Sequence, residues 1–304
     1  MNNSNHLKKP IIFIGTGRSG TTIFSEIIMR HPDLAYISNY QVKFPKYPVV
    51  NLIRIIFENK LWNFKGQKKQ LNKISLFNRF AFNPVEGFNI WNNLVGGDKV
   101  FSRGFLIDHE ISETQIIHTR KYFKNLVRFQ GKKRLALKIT GPSRISYLLK
   151  IFPDAVFINL TRNDIPVISS FLKIPFWQKR GLNKLWWTGA YTQKELNYAN
   201  SLFHDPILIT AFQVKKIKIV TELEINELNP VCKNVSYESF VANPSNILAD
   251  TLNFLDLTEN AKVCFNYLSK LRIEDRNKID TDYFSEQTLE AINNINLKIE
   301  NGIA

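Results

Sequence analysis

A short apolar segment followed by a glycine-rich loop constrains the fold of this chain more than any other feature. Ile11 to Ile14 are too few for a helix and rich in β-branched side chains, so they predict a buried strand. The loop after them contains Gly15, Gly17 and Gly20. Glycines let a backbone turn sharply and bring its N–H groups close to an anion, and the helix predicted from Thr21 onward directs its N-terminal dipole at the same place. The segment therefore predicts a site for an anionic group.

The loop has the frame of a nucleotide-binding P-loop without its lysine. Gly15 to Gly20 gives the Gly-x-x-x-x-Gly spacing, but Thr21 stands where the Walker lysine would follow. A kinase or GTPase needs that lysine on the β- and γ-phosphates and a Ser or Thr on Mg²⁺, whereas the cation of this loop is Arg18. The pattern favours a loop that holds a phosphate without a metal.

A second unit of the same kind lies near the middle of the chain. Leu135 to Ile139 and Ala155 to Leu160 predict two further buried strands, and the second leads through Arg162 into a helix that carries Ser170. In an open parallel sheet such turns meet at the same edge, where ligands bind. Arginine offers a bidentate fork to a phosphate, and a cation at a helix N-terminus opposes the helix dipole unless an anion is bound there. Arg162 and Ser170 are therefore predicted to face the site of the first loop.

These segments resemble those of sulfotransferases that use 3′-phosphoadenosine 5′-phosphosulfate, PAPS. The first loop is similar to the family's 5′-phosphosulfate loop, Gly17-Arg18-Ser19-Gly20-Thr21-Thr22, with His31-Pro32-Asp33 beyond it. The form with arginine is similar to that of tyrosylprotein and many bacterial sulfotransferases. The run Phe152 to Arg162, with Ser170 eight residues further on, resembles the 3′-phosphate element, although Asn163 replaces the usual aspartate. A third match is Tyr237-Glu238-Ser239-Phe240 with Pro244.

The resemblance implies a fold, a co-substrate and a set of site residues. The fold is a P-loop-like three-layer α/β fold with a short parallel sheet, in one domain over 1–304 that includes a variable, mostly helical substrate lobe at about 42–131. The co-substrate is PAPS, with no metal, and the reaction moves its sulfuryl group to an acceptor hydroxyl. The residues implied to bind PAPS are Gly17, Arg18, Ser19, Gly20, Thr21, Thr22, Arg162, Ser170, Tyr237 and, in a basic closing loop, Lys278.

Sulfuryl transfer also needs charge stabilisation and a base. Negative charge develops on the bridging oxygen of the leaving bisphosphate, so a cation aimed at that oxygen supplies much of the rate, and Arg18 is the first candidate. Lys138 stands where the family places a basic residue near the sulfuryl group, although an ordinary strand-end lysine fits the sequence equally well. Thr140 stands where several family members have a histidine base and does not replace it. We predict Glu86, behind Pro84 at a helix start, as the base, with His109 as the reserve.

Composition and net charge indicate which broad class of protein this chain belongs to. The chain has 304 residues, 44% hydrophobic and 22% charged, which suits a globular α/β protein. Two cysteines without metal-ligand spacing fit a reducing compartment, and no signal peptide or membrane span is evident, so we expect a cytoplasmic protein. The net charge of +15 implies attraction to polyanions, including an anionic membrane surface, although each short basic cluster is more typical of a solvated face. The sequence does not predict an oligomeric state.

The acceptor and two other functions stay open at this level. Trp177, Trp186 and Trp187 are typical of a core but also suit stacking on sugars, so a carbohydrate acceptor is favoured over a peptide tyrosine. Trp186 and Trp187 fall in a helix predicted from Leu182 to Phe203. A metal-dependent P-loop kinase would use the same fold but lacks its lysine here. A nucleic-acid-binding module would use the charge but none of its signatures is present, so no nucleic-acid partner is expected.

Overall fold

The computed structural model describes residues 7–59, 81–96, 100–277 and 284–302. In these residues, five parallel strands form one sheet in the order β2-β3-β1-β4-β5. Their bounds are β1 Ile11–Gly15, β2 Leu34–Ala35, β3 Arg134–Lys138, β4 Val156–Thr161 and β5 Val231–Ser236. The three predicted strands, which correspond to β1, β3 and β4, are confirmed to within one residue at each end, because each is a short buried apolar run bounded by turn residues.

Helices cover both faces of this sheet and form a lobe between β2 and β3. Within the described residues before β3, the helices are α1 Thr21–Ile28, α2 Asn39–Lys43, α3 Ile53–Phe57, α4 Phe88–Val95 and α5 Glu113–Phe129, with a 3₁₀ helix at Pro48–Leu52. Those after β3 are α6 Ile145–Ile151, α7 Asp164–Leu172, α8 Pro175–Arg180, α9 Gln193–Leu202, α10 Pro206–Leu228, α11 Tyr237–Ala242, α12 Pro244–Phe254, α13 Lys262–Leu268 and α14 Glu286–Glu300. The fold is the expected P-loop-like three-layer α/β fold with an inserted helical lobe.

The central strand shows why the sheet is covered on both faces. All five residues of β1 are buried, and successive side chains point to opposite faces of a strand. Ile12 and Ile14 belong to the apolar cluster beneath α5 and α6, whereas Ile11 and Phe13 belong to the cluster beneath α1 and α12. A continuous apolar run of this kind therefore fixes β1 in the middle of the sheet, and its carboxyl end delivers the glycine loop.

Two of the predicted elements differ from the structure. The helix predicted from Leu182 begins only at Gln193, where Thr192 and Glu195 form a capping box. Tertiary contacts hold the preceding residues in irregular structure, because the Trp186 amide donates to Gln213 Oε1 and the Thr188 amide donates to the Arg103 carbonyl. The second element is the stretch 33–50, whose prolines and weak periodicity predict a long loop; in the structure it contains β2, α2 and the start of the 3₁₀ helix. Among the described residues, no helix is both long enough and apolar enough to cross a membrane.

Candidate active site

A cleft of about 740 Å³ opens at the carboxyl edge of the sheet. The loop after β1, the turns after β3 and β4, the start of α11 and residues 272–276 contribute its walls. Four of the five strands, β1, β3, β4 and β5, deliver a chain turn to this edge, as parallel topology requires. The cleft therefore gathers the segments that sequence analysis singled out, although they are far apart in the chain.

The glycine loop meets the cleft with unsatisfied polar groups. Gly20, at φ 79°, begins α1, and no side chain caps the first turn of that helix. The first N–H groups of a helix have no partner within the helix and form a site for anions. Thr21 Oγ1 is buried with no hydrogen-bond partner, although Thr21 lines the cleft. Both observations fit a phosphate group at this position.

Ser19 serves the loop itself. Its hydroxyl lies 2.6 Å from that of Thr16, its side chain is fully buried, and the residue is not part of the cleft wall. The prediction placed Ser19 with the phosphate-binding residues. In the structure the Ser19 hydroxyl points inward, where it closes the loop, and no part of Ser19 is exposed to the cleft.

Arg18 and Arg162 join the two predicted phosphate elements. The Arg18 Nε donates to Ser170 Oγ at 2.8 Å, and Arg162 Nη1 donates to the Arg18 carbonyl at 2.9 Å. Arg18 itself has a positive φ of 59°, which directs its side chain across the cleft toward α7. Burial lowers the pKa of the Arg162 guanidinium, which is only 7% exposed, and nearby Glu238 acts in the opposite direction. A buried cation of this kind is stabilised by a bound anion.

Tyr237 packs between Arg162 and the glycine loop. The Arg162 guanidinium carbon lies 4.3 Å from the centre of the Tyr237 ring, a cation–π distance. The other contact is with Gly20, since a Cβ built there would lie 2.5 Å from Tyr237 Cδ2. The ring is also anchored at its edge, because the Tyr237 hydroxyl donates to the Glu274 carbonyl at 2.9 Å. Tyr237 thus sets the distance between the loop and Arg162.

The chain at 272–277 lies against the same groups. Arg162 donates from Nε to Asn277 Oδ1 at 2.8 Å and from Nη2 to the Arg276 carbonyl. Asn277 Nδ2 in turn donates to Glu238 Oε1 at 3.0 Å, and the same oxygen accepts from the Asn163 amide. Arg276 and Arg272 line the cleft and add positive charge to it. Lys278, predicted for this loop, lies outside the described residues.

At the other side of the glycine loop, Lys138 and Glu86 form an ion pair. Lys138 Nζ lies 3.4 Å from Glu86 Oε1 and donates to Thr22 Oγ1 at 3.2 Å. Thr140 Oγ1 donates to the same Glu86 oxygen at 2.9 Å. Lys138 is 5% exposed, whereas the Glu86 side chain is 20% exposed and lines the cleft. The structure thus places a carboxylate and an ammonium beside the phosphate loop.

Glu86 reaches this position by a different route from the one predicted. The helix begins at Phe88 after Gly87, whose φ of 66° requires a glycine-like backbone, so Glu86 belongs to the preceding loop and not to a helix start. Pro84 pairs with Ser38 in an isolated β-bridge, and the Val85 amide donates to the Ile37 carbonyl at 2.9 Å. This short pairing holds the loop over the carboxyl end of β3.

His109 and Trp177 lie away from the cleft. The His109 ring stacks on Tyr147 with 5.6 Å between centroids, and His109 is not part of the cleft wall. Trp177 is fully buried and donates from Nε1 to Thr210 Oγ1 at 2.9 Å, so it is a core residue. Neither residue can take the predicted role as reserve base or stacking surface from these positions.

Trp186 and Trp187 do line the cleft. Trp187 is 4% exposed and lies against Gly141, where a Cβ would be 2.9 Å from the indole nitrogen. The guanidinium carbons of Arg103 and Arg180 lie 4.7 Å and 5.3 Å from the centre of the Trp186 ring. Sequence analysis did not identify Arg272 as a cleft residue, since only the path of the chain after α13 reveals it.

The comparisons with known proteins agree with this geometry. The chain matches the profile described as "Sulfotransferase family" over residues 10–261. Comparison with curated proteins gives no significant match. Among solved structures, sulfotransferase STF9 from Mycobacterium avium is similar at a TM-score of 0.57 with 19% identity, over 97% of this chain and 76% of that one. Sulfotransferase STF1 from Mycobacterium tuberculosis H37Rv gives a TM-score of 0.50 with 15% identity, over 94% and 76%.

The two structural likenesses show the shared fold, and the profile covers 10–261 of the 304 residues, including the glycine loop, the Arg162 turn and Tyr237. The chain belongs to the Sulfotransferase family.

Proposed function

We propose that this sulfotransferase moves a sulfuryl group from PAPS to an acceptor hydroxyl, and that the acceptor is a carbohydrate or glycoconjugate. One observation carries the proposal: a single cleft holds an uncapped helix start with a buried, unpartnered Thr21 hydroxyl, and also holds Arg18 bonded to Ser170 with the buried Arg162 bonded to the Arg18 carbonyl. PAPS carries a phosphosulfate at one end and a 3′-phosphate at the other, so it presents anions to both.

Different residues of the cleft would bind the two anionic ends of PAPS. The amides of the first turn of α1, with the hydroxyls of Thr21 and Thr22, would hold the 5′-phosphosulfate. Arg162, Ser170 and Arg18 would hold the 3′-phosphate, since the Arg18 side chain already reaches Ser170. This differs from the role expected for Arg18 at the leaving oxygen, and it is supported by the hydrogen bond that the Arg18 Nε donates to Ser170.

Lys138 and Glu86 supply the chemistry at the transfer end. When bound, PAPS supplies an electrophilic sulfur and a bisphosphate leaving group. The Lys138 ammonium, 3.2 Å from Thr22 Oγ1, would stabilise charge on the bridging oxygen. The Glu86 carboxylate would take the proton of the acceptor hydroxyl, while the Thr140 hydroxyl holds one carboxylate oxygen and leaves the other for the acceptor. The proposal uses no divalent metal.

The acceptor side of the cleft has aromatic walls. Trp186 and Trp187 lie there together with Phe88 and Phe176, and flat aromatic rings suit the apolar faces of sugars. Incubation with radiolabelled PAPS and a panel of sugars, phenols and peptides tests this assignment. Label on a sugar hydroxyl is expected. Label on phenols or peptides alone would contradict the carbohydrate acceptor. If no acceptor is labelled and the protein also fails to bind PAPS, the whole proposal is contradicted.

A further inference from the structure

The lobe between β2 and β3 contains a stretch that buries polar side chains and exposes apolar ones, the reverse of the usual arrangement. From Asn39 to Asn59, polar side chains point inward: Gln41, Asn51 and Arg54 are at most 1% exposed. Gln41 donates to the Tyr122 hydroxyl at 2.7 Å, and Gln130 donates to Asn51 Oδ1 at 2.9 Å. These hydrogen bonds satisfy the buried amide groups of Gln41 and Asn51 and anchor the stretch on α5 and the chain after it.

Apolar side chains occupy the outer face of the same stretch. Six large apolar residues are exposed within thirteen positions: Phe44 (51%), Tyr47 (63%), Val49 (50%), Leu52 (44%), Ile55 (52%) and Ile56 (62%). We name this set, with the exposed Lys43 and Lys46, the outer lobe surface. Single exposed apolar residues are ordinary on a protein, whereas six of them within one short stretch that buries its polar side chains indicate an interaction surface.

The charge of the outer lobe surface has one sign. Among the described residues from Asn39 to Asn59, the acidic residue is Glu58, and its carboxylate is 7% exposed and paired with Arg54 and Lys132. Lys43 and Lys46 thus provide the exposed charge. In sequence, the following residues 60–80 contain five lysines and one arginine and no acidic residue. The partner of this surface must therefore carry negative charge as well as apolar groups.

We propose that the outer lobe surface docks on an anionic membrane surface. Aliphatic side chains with a tyrosine and a phenylalanine partition into the interface between headgroups and acyl chains, and lysines beside them attract acidic lipid headgroups. A second copy of this chain is a poorer occupant, because a two-fold contact would bring Lys43 and Lys46 of both copies together. The proposal does not depend on which acceptor the enzyme uses.

Co-sedimentation with lipid vesicles tests the proposal. The full chain is mixed with vesicles of neutral phosphatidylcholine alone, or with vesicles that also contain phosphatidylglycerol. We expect sedimentation with the acidic vesicles that weakens as salt is raised. Leu52→Gln/Ile55→Gln and Lys43→Glu/Lys46→Glu should each lower the partition coefficient by about tenfold or more, through lost insertion and lost electrostatic attraction respectively.

Matched variants elsewhere on the surface provide the controls. Leu223→Gln/Leu228→Gln changes two apolar residues of similar exposure, at 50% and 43%, and Lys184→Glu/Lys194→Glu makes the same change in net charge. Both should bind acidic vesicles as the wild type does. Equal losses in control and outer-lobe variants would overturn the proposal, as would absence of vesicle binding. Self-association in analytical ultracentrifugation that Leu52→Gln/Ile55→Gln abolishes, without vesicle binding, would assign the surface to a second copy instead.

Discussion

Lys138 Nζ lies 3.4 Å from Glu86 Oε1 and so ties the cation beside the phosphate loop to the carboxylate of the acceptor side. If Glu86 is the base, Glu86→Gln should lower turnover by about 10²–10⁴-fold, the usual contribution of a general base. The affinity for 3′-phosphoadenosine 5′-phosphate, PAP, should be unchanged, because glutamine still accepts from the Thr140 hydroxyl. Steady-state rates on an accepted sugar, with PAP affinity from calorimetry, check this. Wild-type turnover would remove Glu86 from the role.

Thr21→Val removes a buried hydroxyl that makes no hydrogen bond in the protein. Valine has nearly the same shape, so the free energy of unfolding without ligand should not fall. The affinity for PAP should fall by about 1.5–3 kcal/mol, the range for a hydrogen bond to a charged group. Chemical denaturation and calorimetry on the same preparation measure the two effects. A loss of stability with intact PAP affinity would make Thr21 a structural residue.

Arg162→Ala tests whether Arg162 binds the 3′-phosphate end of the nucleotide and not its 5′ end. We expect PAP affinity to fall by about 2–4 kcal/mol, the range for removing one partner of a desolvated charge pair. Binding of adenosine 5′-phosphosulfate, which lacks the 3′-phosphate, should change little.

Asn277→Ala is the matched control for Arg162→Ala. It removes the Nε partner of Arg162 at 2.8 Å but keeps the guanidinium. The control should retain discrimination between the two nucleotides. Equal losses of both nucleotides in Arg162→Ala would show that the arginine only holds residues 272–277 in place.

PAP should bind without a divalent metal. The phosphate contacts that we propose come from backbone amides, hydroxyls and guanidinium groups of this chain. Calorimetry in excess chelator is expected to give the same affinity for PAP as calorimetry with Mg²⁺. The contrary result, binding of ATP with Mg²⁺ but no binding of PAP in chelator, would favour a kinase.

Gly20→Ala tests the contact between the loop and Tyr237. An alanine at a φ of 79° costs about 1–2 kcal/mol, and its Cβ would also lie 2.5 Å from Tyr237 Cδ2. Gly131→Ala is a matched control, since Gly131 has a φ of 63° and a Cβ at that position would meet nothing within 4 Å. Urea denaturation should therefore show a larger loss of stability for Gly20→Ala. Equal losses would mean that the Tyr237 ring moves aside without cost.

The parallel sheet and the phosphate loop were predictable because their signals are local. Ile11–Gly15 combines an apolar run with glycines at fixed spacing, and the turn at Arg162 repeats the arrangement at the end of another strand. The position of the second turn follows from topology alone, since parallel strands end at one edge.

The acceptor side was not predictable in the same way. Glu86 reaches Lys138 because residues 84–85 pair with residues 37–38, a contact between segments without a sequence pattern of their own. The apolar spacing around Trp186 is typical of a helix, but hydrogen bonds from the Trp186 amide to Gln213 and from Arg103 to the Trp186 carbonyl hold the segment in an irregular conformation. A capping box at Thr192 and Glu195 was the one local signal that the helix starts later.

The place of β1 at the centre of the sheet has a consequence for how the chain folds. Its neighbours β3 and β4 begin at Arg134 and Val156, so Ile11–Gly15 has no strand to pair with until β3 has been synthesised, and it lacks its second neighbour until β4 follows. Pairings between residues so far apart in sequence close long loops and make folding slow. During synthesis the strand that carries the phosphate loop therefore remains without both of its neighbours until the middle of the chain has been made, and the loop gains its packing against Tyr237 only after that residue has emerged.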